Sequence, residues 1–157
     1  GVLGTGNIGR QAATLFKGLG CKVIGYDLYP SDAAREVLTY VESIDELLTQ
    51  SDVVTLHVPA QKEFVIGQKE FDLMKNGAAL VNCARGGVVD EEALLKALDS
   101  GKLAFAGLDV FINEPTPAKS ILSHPKISLT PHTGASTNEA QDRIGISLAE
   151  QIISILK

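Results

Sequence analysis

Near the start of the chain, Gly4-Thr5-Gly6-Asn7-Ile8-Gly9 has the spacing G-x-G-x-x-G. Val2 and Leu3 before it are apolar, and Ile8, Ala12, Ala13, Leu15, Phe16 and Leu19 recur at helical spacing until Gly20. The run therefore sits where a strand turns into a helix, which is the context that gives it chemical meaning. The first glycine permits the tight turn, the second lets a diphosphate approach the backbone, and the third lets the helix pack close to the strand. Free N–H groups and a partial positive charge at the helix start then face the phosphates. The next strand-like run, Lys22 to Tyr26, ends in Asp27, an acid at an offset suited to the hydroxyls of an adenosine ribose. A plain turn or cap residue before Pro30 and Ser31 is the alternative for Asp27. Motif, context and acid together favour a dinucleotide site.

Four further residue types could do chemistry. Arg85 follows a strand-like run and is trailed by Gly86 and Gly87. A guanidinium beside flexible backbone can grip a carboxylate with two parallel hydrogen bonds, although spacing alone serves an ordinary surface arginine equally well. Cys83 has nothing nearby in sequence to activate it as a nucleophile, so a small residue packed near the ligand is the favoured reading. Of the three histidines, His124 falls in an expected exposed loop, while His57 and His132 both end strand-like runs. Histidine is the side chain best suited to move a proton near neutral pH, but periodicity does not say which of the two does so, or whether either does. Glu114, in Asn113-Glu114-Pro115, reads as a solvated loop carboxylate unless the fold brings it against a histidine.

These residues sit on an alternating pattern. Short helices are expected over 31–38, from the Ser43-Ile44-Asp45-Glu46 capping box to about Gln50, over 68–75, and from an Asp90 cap to Gly101. Strands are expected at Tyr40-Val41, 52–56, 78–81, 103–108 and 126–129. A second capping box, Ser136-Thr137-Asn138-Glu139, opens a long helix with Ile144, Leu148, Ile152 and Ile155 on one stripe. Such alternation predicts an α/β fold of the Rossmann type: a doubly wound parallel sheet of about seven strands with helices on both faces. Ligands of such sheets sit beyond the carboxyl ends of the strands, so the residues that end strands matter most: Gly4 to Gly9, Asp27, His57 to Pro59, Cys83 to Gly87, Asp109 and His132.

Composition bounds the rest. The chain has 157 residues, 45% hydrophobic and 21% charged, as a globular domain does. At this length roughly 70% of the unfolded surface is buried on folding. The net charge of −5, with no basic cluster, argues against a nucleic-acid partner. No apolar run is long enough to span a membrane, and no signal-peptide pattern opens the sequence. Cys21 and Cys83 form neither a metal spacing nor a disulfide framework, so no metal and a reduced, cytoplasmic setting are expected. Only three residues precede Gly4, whereas strands run about five or six, so the chain reads as part of a longer protein.

Four stretches, in this order, carry a resemblance. They are Gly4 to Gly9; Val81-Asn82-Cys83-Ala84-Arg85-Gly86-Gly87-Val88-Val89-Asp90-Glu91; Gly107-Leu108-Asp109-Val110-Phe111 with Asn113-Glu114-Pro115; and Thr130-Pro131-His132-Thr133-Gly134-Ala135-Ser136-Thr137. Together they resemble the coenzyme-binding domain of the D-isomer-specific 2-hydroxyacid dehydrogenases over essentially the whole chain. The resemblance implies NAD as cofactor and hydride transfer between it and a small 2-hydroxy or 2-keto acid. It implies Arg85 as the group binding the substrate's carboxylate and keto oxygen, His132 as the acid/base, and Glu114 as the carboxylate that orients it. It implies cofactor contacts from Gly4, Gly6, Asn7, Ile8, Gly9, Asp27, Val58, Pro59, Cys83, Ala84, Arg85, Asp109, His132, Thr133, Gly134 and Ala135. Thr133 stands where an aliphatic residue is commoner in the family. The resemblance further implies a substrate-binding domain outside residues 1–157, and a homo-oligomer. A rival class, a dinucleotide-sensing interaction protein like the corepressors related to this family, keeps the same residues. A methyltransferase-like nucleotide-binding domain is disfavoured by the ordered set of Arg85, Glu114 and His132.

Overall fold

The computed structural model describes residues 1–156. It contains one parallel seven-stranded sheet in the order β3-β2-β1-β4-β5-β6-β7. The strands are β1 (Val2–Leu3), β2 (Ile24–Tyr26), β3 (Thr39–Tyr40), β4 (Val53–Leu56), β5 (Ala78–Asn82), β6 (Leu103–Leu108) and β7 (Ile127–Leu129). The helices are α1 (Asn7–Gly18), α2 (Asp32–Arg35), α3 (Ile44–Gln50), α4 (Gln68–Leu73), α5 (Glu91–Asp99), α6 (Lys119–Leu122) and α7 (Asn138–Leu156). The predicted doubly wound α/β architecture is the observed one. Strand order reverses between β1 and β4, which pair through Val2 with Thr55 and Leu3 with Leu56, and that reversal places the ligand crevice at their carboxyl ends.

The core follows from strand alternation. Leu3, Val54, Leu56, Leu80 and Leu108 pack with Leu47, Leu48, Phe71, Leu94 and Leu98 from the helices of one face. Val2, one residue from Leu3, points the other way and packs with Ala13, Val23, Ala34 and Leu38. The apolar stripe of α1 is therefore narrower than its spacing predicts. Ala13 is buried, whereas Ile8, Leu15 and Leu19 are exposed, Ile8 over the turn itself.

Several ends fall elsewhere than expected. The helix expected over 31–38 is the short α2, and α4 stops at Leu73. In both cases the following residues leave the helix to join the sheet edge or a turn. At α3 the Ser43 hydroxyl accepts from Glu46 N, as a capping box requires, but the Glu46 carboxylate accepts from Glu42 N instead of closing onto Ser43. At α7 the cap is Thr137, whose hydroxyl accepts from Ala140 N at 3.2 Å, while Ser136 Oγ turns back to His132 O. Ser136 is thus drawn into the preceding loop. The stripe on α7 forms, but Ile144, Leu148, Ile152 and Ile155 all face solvent. His124, expected exposed, is tucked against α5: Lys126 N donates to its Nδ1, so its Nε2 carries the proton and donates to Asp99 Oδ1 at 3.2 Å.

Candidate active site

The turn after β1 has the form that its spacing predicts. Gly4 has φ +89°, and a Cβ there would lie 2.6 Å from His57 O, so the β1 turn and the β4 end can approach only through glycine. A Cβ on Gly9 would meet Gly4 O, so the first turn of α1 packs directly on the strand end. Around Gly6 nothing lies within 4 Å of such an atom. The α1 start has no side-chain cap and no acid in its first turn, which leaves its amides free for an anion. Val58 lies beside Gly4, and Ile8 and Pro59 are exposed on the same rim.

Asp27 reaches back to this turn. Thr5 N donates to its Oδ2 at 2.6 Å, Thr5 Oγ1 donates to the same oxygen at 3.1 Å, and Tyr29 N donates to Oδ1 at 2.9 Å. Burial opposes ionisation of this carboxyl, but the amides of Thr5 and Tyr29 outweigh it and hold its pKa below the ordinary value.

The turn after β5 is shaped by Asn82, which the sequence reading did not assign to the site. It is buried; its Oδ1 accepts from Ala84 N and its Nδ2 donates to Arg85 O, both at 3.1 Å. A polar residue closing an apolar strand was the signal available in the sequence. Cys83 is exposed as a residue, but partial desolvation of its sulfur, followed by the Asp109 charge, pushes the thiol pKa up, which favours the thiol over the nucleophilic thiolate. The exposed Arg85 folds its Nη1 onto Ala84 O at 2.6 Å. The next residue ties this turn to that of Glu114: a Cβ on Gly86 would lie 1.8 Å from Phe111 O, and Phe111 N donates to Glu114 Oε1 at 2.8 Å. Gly86→Ala should therefore lower domain stability by about 1–3 kcal/mol, the usual cost of overpacking, read as a drop in the denaturation midpoint. An unchanged midpoint would show that the two turns part without cost.

Glu114 and His132 meet. His132 Nδ1 lies 2.7 Å from Glu114 Oε2. That bond, followed by the Phe111 amide, holds the Glu114 carboxyl below its ordinary pKa. An ionised carboxylate only accepts, so the proton of the neutral ring is on Nδ1 and Nε2 presents a lone pair. His57 is placed differently. It is half-buried, its Nε2 is 3.0 Å from Thr55 Oγ1, and burial lowers its pKa. It has a hydroxyl partner where His132 has a carboxylate, which separates the two histidines that periodicity left equal.

The His132 backbone has φ 54°, in the left-handed region that non-glycine residues rarely adopt. Asp109, at the end of β6, holds the loop there. It is buried and accepts from Thr130 Oγ1 at 2.5 Å, Thr133 N at 2.9 Å, Thr133 Oγ1 at 3.3 Å and Gly134 N at 3.2 Å. Burial again works against its ionisation, and these donors reverse the balance, so its pKa lies below the ordinary value. Gln141 Nε2 donates to Ala135 O at 2.6 Å and closes the loop onto α7. The glycine turn, Asp27, His57 to Pro59, Cys83 to Gly87, Asp109 and His132 thus all follow the carboxyl ends of strands, whereas His124 precedes β7. A separate cleft of about 450 Å³, lined by Val2, Phe16, Cys21, Ile24, Asp52 and Lys75, opens at the opposite edge of the sheet and contains none of them. Among the described residues, no cluster of three or more His, Cys, Asp or Glu is placed to hold a metal ion, and no helix is long and apolar enough to cross a membrane.

Comparison with known proteins identifies the family. The family model of the D-isomer specific 2-hydroxyacid dehydrogenase NAD binding domain matches residues 1–134. A D-lactate dehydrogenase of Treponema pallidum is 43% identical over all of this chain and 52% of its own length. A D-3-phosphoglycerate dehydrogenase of Methanocaldococcus jannaschii is 44% identical over all of this chain and 31% of its own. A glyoxylate reductase structure from Paecilomyes thermophila superposes with a TM-score of 0.92 at 38% identity, over 99% of this chain and 48% of that one. The chain thus spans about half or less of each relative's length. On the family model and these identities, it belongs to the D-isomer-specific 2-hydroxyacid dehydrogenases, as their NAD-binding domain.

Proposed function

We propose that this chain is the cofactor half of an NAD-dependent dehydrogenase that oxidises a small D-2-hydroxy acid or reduces the matching 2-keto acid. The observation that carries the reading is the His132–Glu114 pair at 2.7 Å on the same strand-end rim as the open glycine turn. The α1 amides and Gly6 receive the cofactor diphosphate, and Asp27 receives its adenosine ribose. Bound NAD supplies the hydride acceptor. His132 Nε2 removes the hydroxyl proton of the substrate, and Glu114 steadies the imidazolium that results. Arg85 swings from the Ala84 carbonyl to the substrate carboxylate and to the oxygen where charge develops. Asp109 keeps His132 on the rim.

The first reading of the substrate is 3-phosphoglycerate, the entry to serine synthesis, supported by the 44% identity to phosphoglycerate dehydrogenases. D-lactate is the second, supported by the 43% relative. A glyoxylate or hydroxypyruvate reductase fits the same residues. Groups recognising the rest of the substrate are proposed to lie in a second domain outside residues 1–157, in a cytoplasmic homo-oligomer. Steady-state turnover of the full-length protein with 3-phosphoglycerate, D-lactate, glyoxylate and hydroxypyruvate tests this. The expected result is a kcat/KM for 3-phosphoglycerate at least tenfold above the others. A higher value for D-lactate selects the second reading, and no turnover with any of the four would overturn the enzyme assignment in favour of a dinucleotide sensor.

A further inference from the structure

Behind Asp27 runs a chain of hydrogen bonds that crosses three segments. Ser31 N donates to the Tyr40 hydroxyl at 3.1 Å, that hydroxyl lies 2.6 Å from Thr5 Oγ1, and Thr5 Oγ1 lies 3.1 Å from Asp27 Oδ2. The direction of every bond is determined. An amide only donates, a carboxylate only accepts, and each hydroxyl has one hydrogen. The order is therefore Ser31 N–H to Tyr40 O–H to Thr5 O–H to the Asp27 carboxylate, each donor polarised by the one behind it. Thr5 is buried, and its methyl lies against Gly25, where a Cβ would come within 3.1 Å of Cγ2. Tyr40 is fixed by the pairing of β3 with β2, opposite Gly25. Arg35, the first cation after Asp27 in the sequence, is stacked 5.0 Å over the Tyr40 ring with its Nε 3.7 Å from Asp32.

We propose that Thr5 and Tyr40 are positioning residues that fix the Asp27 carboxylate and thereby set the preference of this chain for NAD over NADP. The proposal rests on Asp27 being the ribose-binding acid. A ribose diol offers two O–H donors, which a carboxylate held in one place accepts well. A 2′-phosphate offers only acceptors and negative charge, and a carboxylate tied on both sides of its carboxyl cannot turn away from it. Without the hydroxyl chain, Oδ2 keeps only the Thr5 amide and Oδ1 only the Tyr29 amide, so the carboxylate is held by two bonds instead of three and is fixed less tightly. The diol then loses its fixed partner, and the phosphate meets less repulsion. The stacking of Arg35 also keeps the nearest following cation engaged on Tyr40.

The test is calorimetric titration of NAD and NADP into the full-length protein and its Tyr40→Phe, Thr5→Val, Thr5→Ser and Asp27→Ala variants, each checked for folding by its melting temperature. Tyr40→Phe keeps the ring under Arg35 and removes only the hydroxyl; Thr5→Val keeps the shape. In both, NAD affinity should fall about 3–10-fold, the worth of one hydrogen bond, while NADP affinity holds or rises, so the preference narrows. Thr5→Ser, which keeps the donor, should stay within about twofold of the parent. A merely structural role would move both dinucleotides in parallel, and that result, or no change in either, overturns the proposal. Asp27→Ala separates the two ideas. If it leaves NAD binding unchanged, the ribose assignment itself fails. If it narrows the preference and the two hydroxyl variants do not, only the positioning role fails.

Discussion

Expressed alone, residues 1–157 should bind NAD and turn over essentially no 2-hydroxy acid. The cofactor side is local: the glycine turn, the uncapped α1 start and Asp27 all lie within the chain and are already formed. The proposed catalytic side is open. Arg85, Glu114 and His132 are exposed, with nothing over them to hold a substrate or exclude water. Well-oriented placement of reacting groups supplies about 7–11 kcal/mol of barrier reduction, so its absence removes nearly all turnover while leaving dinucleotide affinity in place. Closure by a second domain is the expected source of both placement and dryness. Titration of NAD, paired with NADH production from 3-phosphoglycerate or D-lactate, decides the matter. Turnover near that of an intact dehydrogenase would mean that the whole substrate site lies within these residues.

In the full-length protein, His132→Ala should lower turnover by about 10²–10⁴-fold, the share that general acid–base catalysis usually holds. NAD affinity should change far less, because the phosphate turn and Asp27 belong to other loops. The discriminating comparison is with His57→Ala. His57 has Thr55 as its polar partner and is disfavoured as a cation by burial, so its loss should cost packing more than turnover. If His57→Ala proved the more damaging to turnover with NAD binding intact, the roles given to the two histidines would be wrong.

What could be read from the sequence was what backbone chemistry dictates locally. The glycine turn is one example: Gly4 has the positive φ and the close backbone neighbour of a tight turn, and Gly9 packs directly on Gly4 O. The alternation of short apolar runs with amphipathic ones likewise led to the parallel sheet, because a two-residue and a 3.6-residue period bury different faces. What stayed hidden depends on partners distant in sequence. Thr5 and Tyr40 are 35 residues apart, and neither residue type alone points to the other. Periodicity alone left His132 level with His57 and Glu114 as a solvated loop carboxylate; the resemblance paired His132 with Glu114, 18 residues apart, and the fold brings them to 2.7 Å. Asn82 and Thr130 looked like strand-end polar residues and prove to be the supports of the Arg85 and His132 turns. Helix ends were misplaced where a nearby loop competed for the capping hydroxyl, as at Ser136.

The left-handed backbone at His132 has an implication for how this rim evolves. A non-glycine residue there carries a conformational cost of order 1–3 kcal/mol whether or not a ligand is present, and the buried Asp109 offsets it through its donors in the same loop. The expense falls on folding, once per molecule, instead of on every encounter with substrate. Selection for stability alone would favour glycine at position 132 and a slacker loop, and such a chain would fold more readily while losing the imidazole. With the acid/base role proposed for His132, the strained histidine is a place where thermostability and turnover pull in opposite directions. Stabilising substitutions in this domain are best sought in the helices that cover the first sheet face, leaving the loop between β7 and α7 untouched.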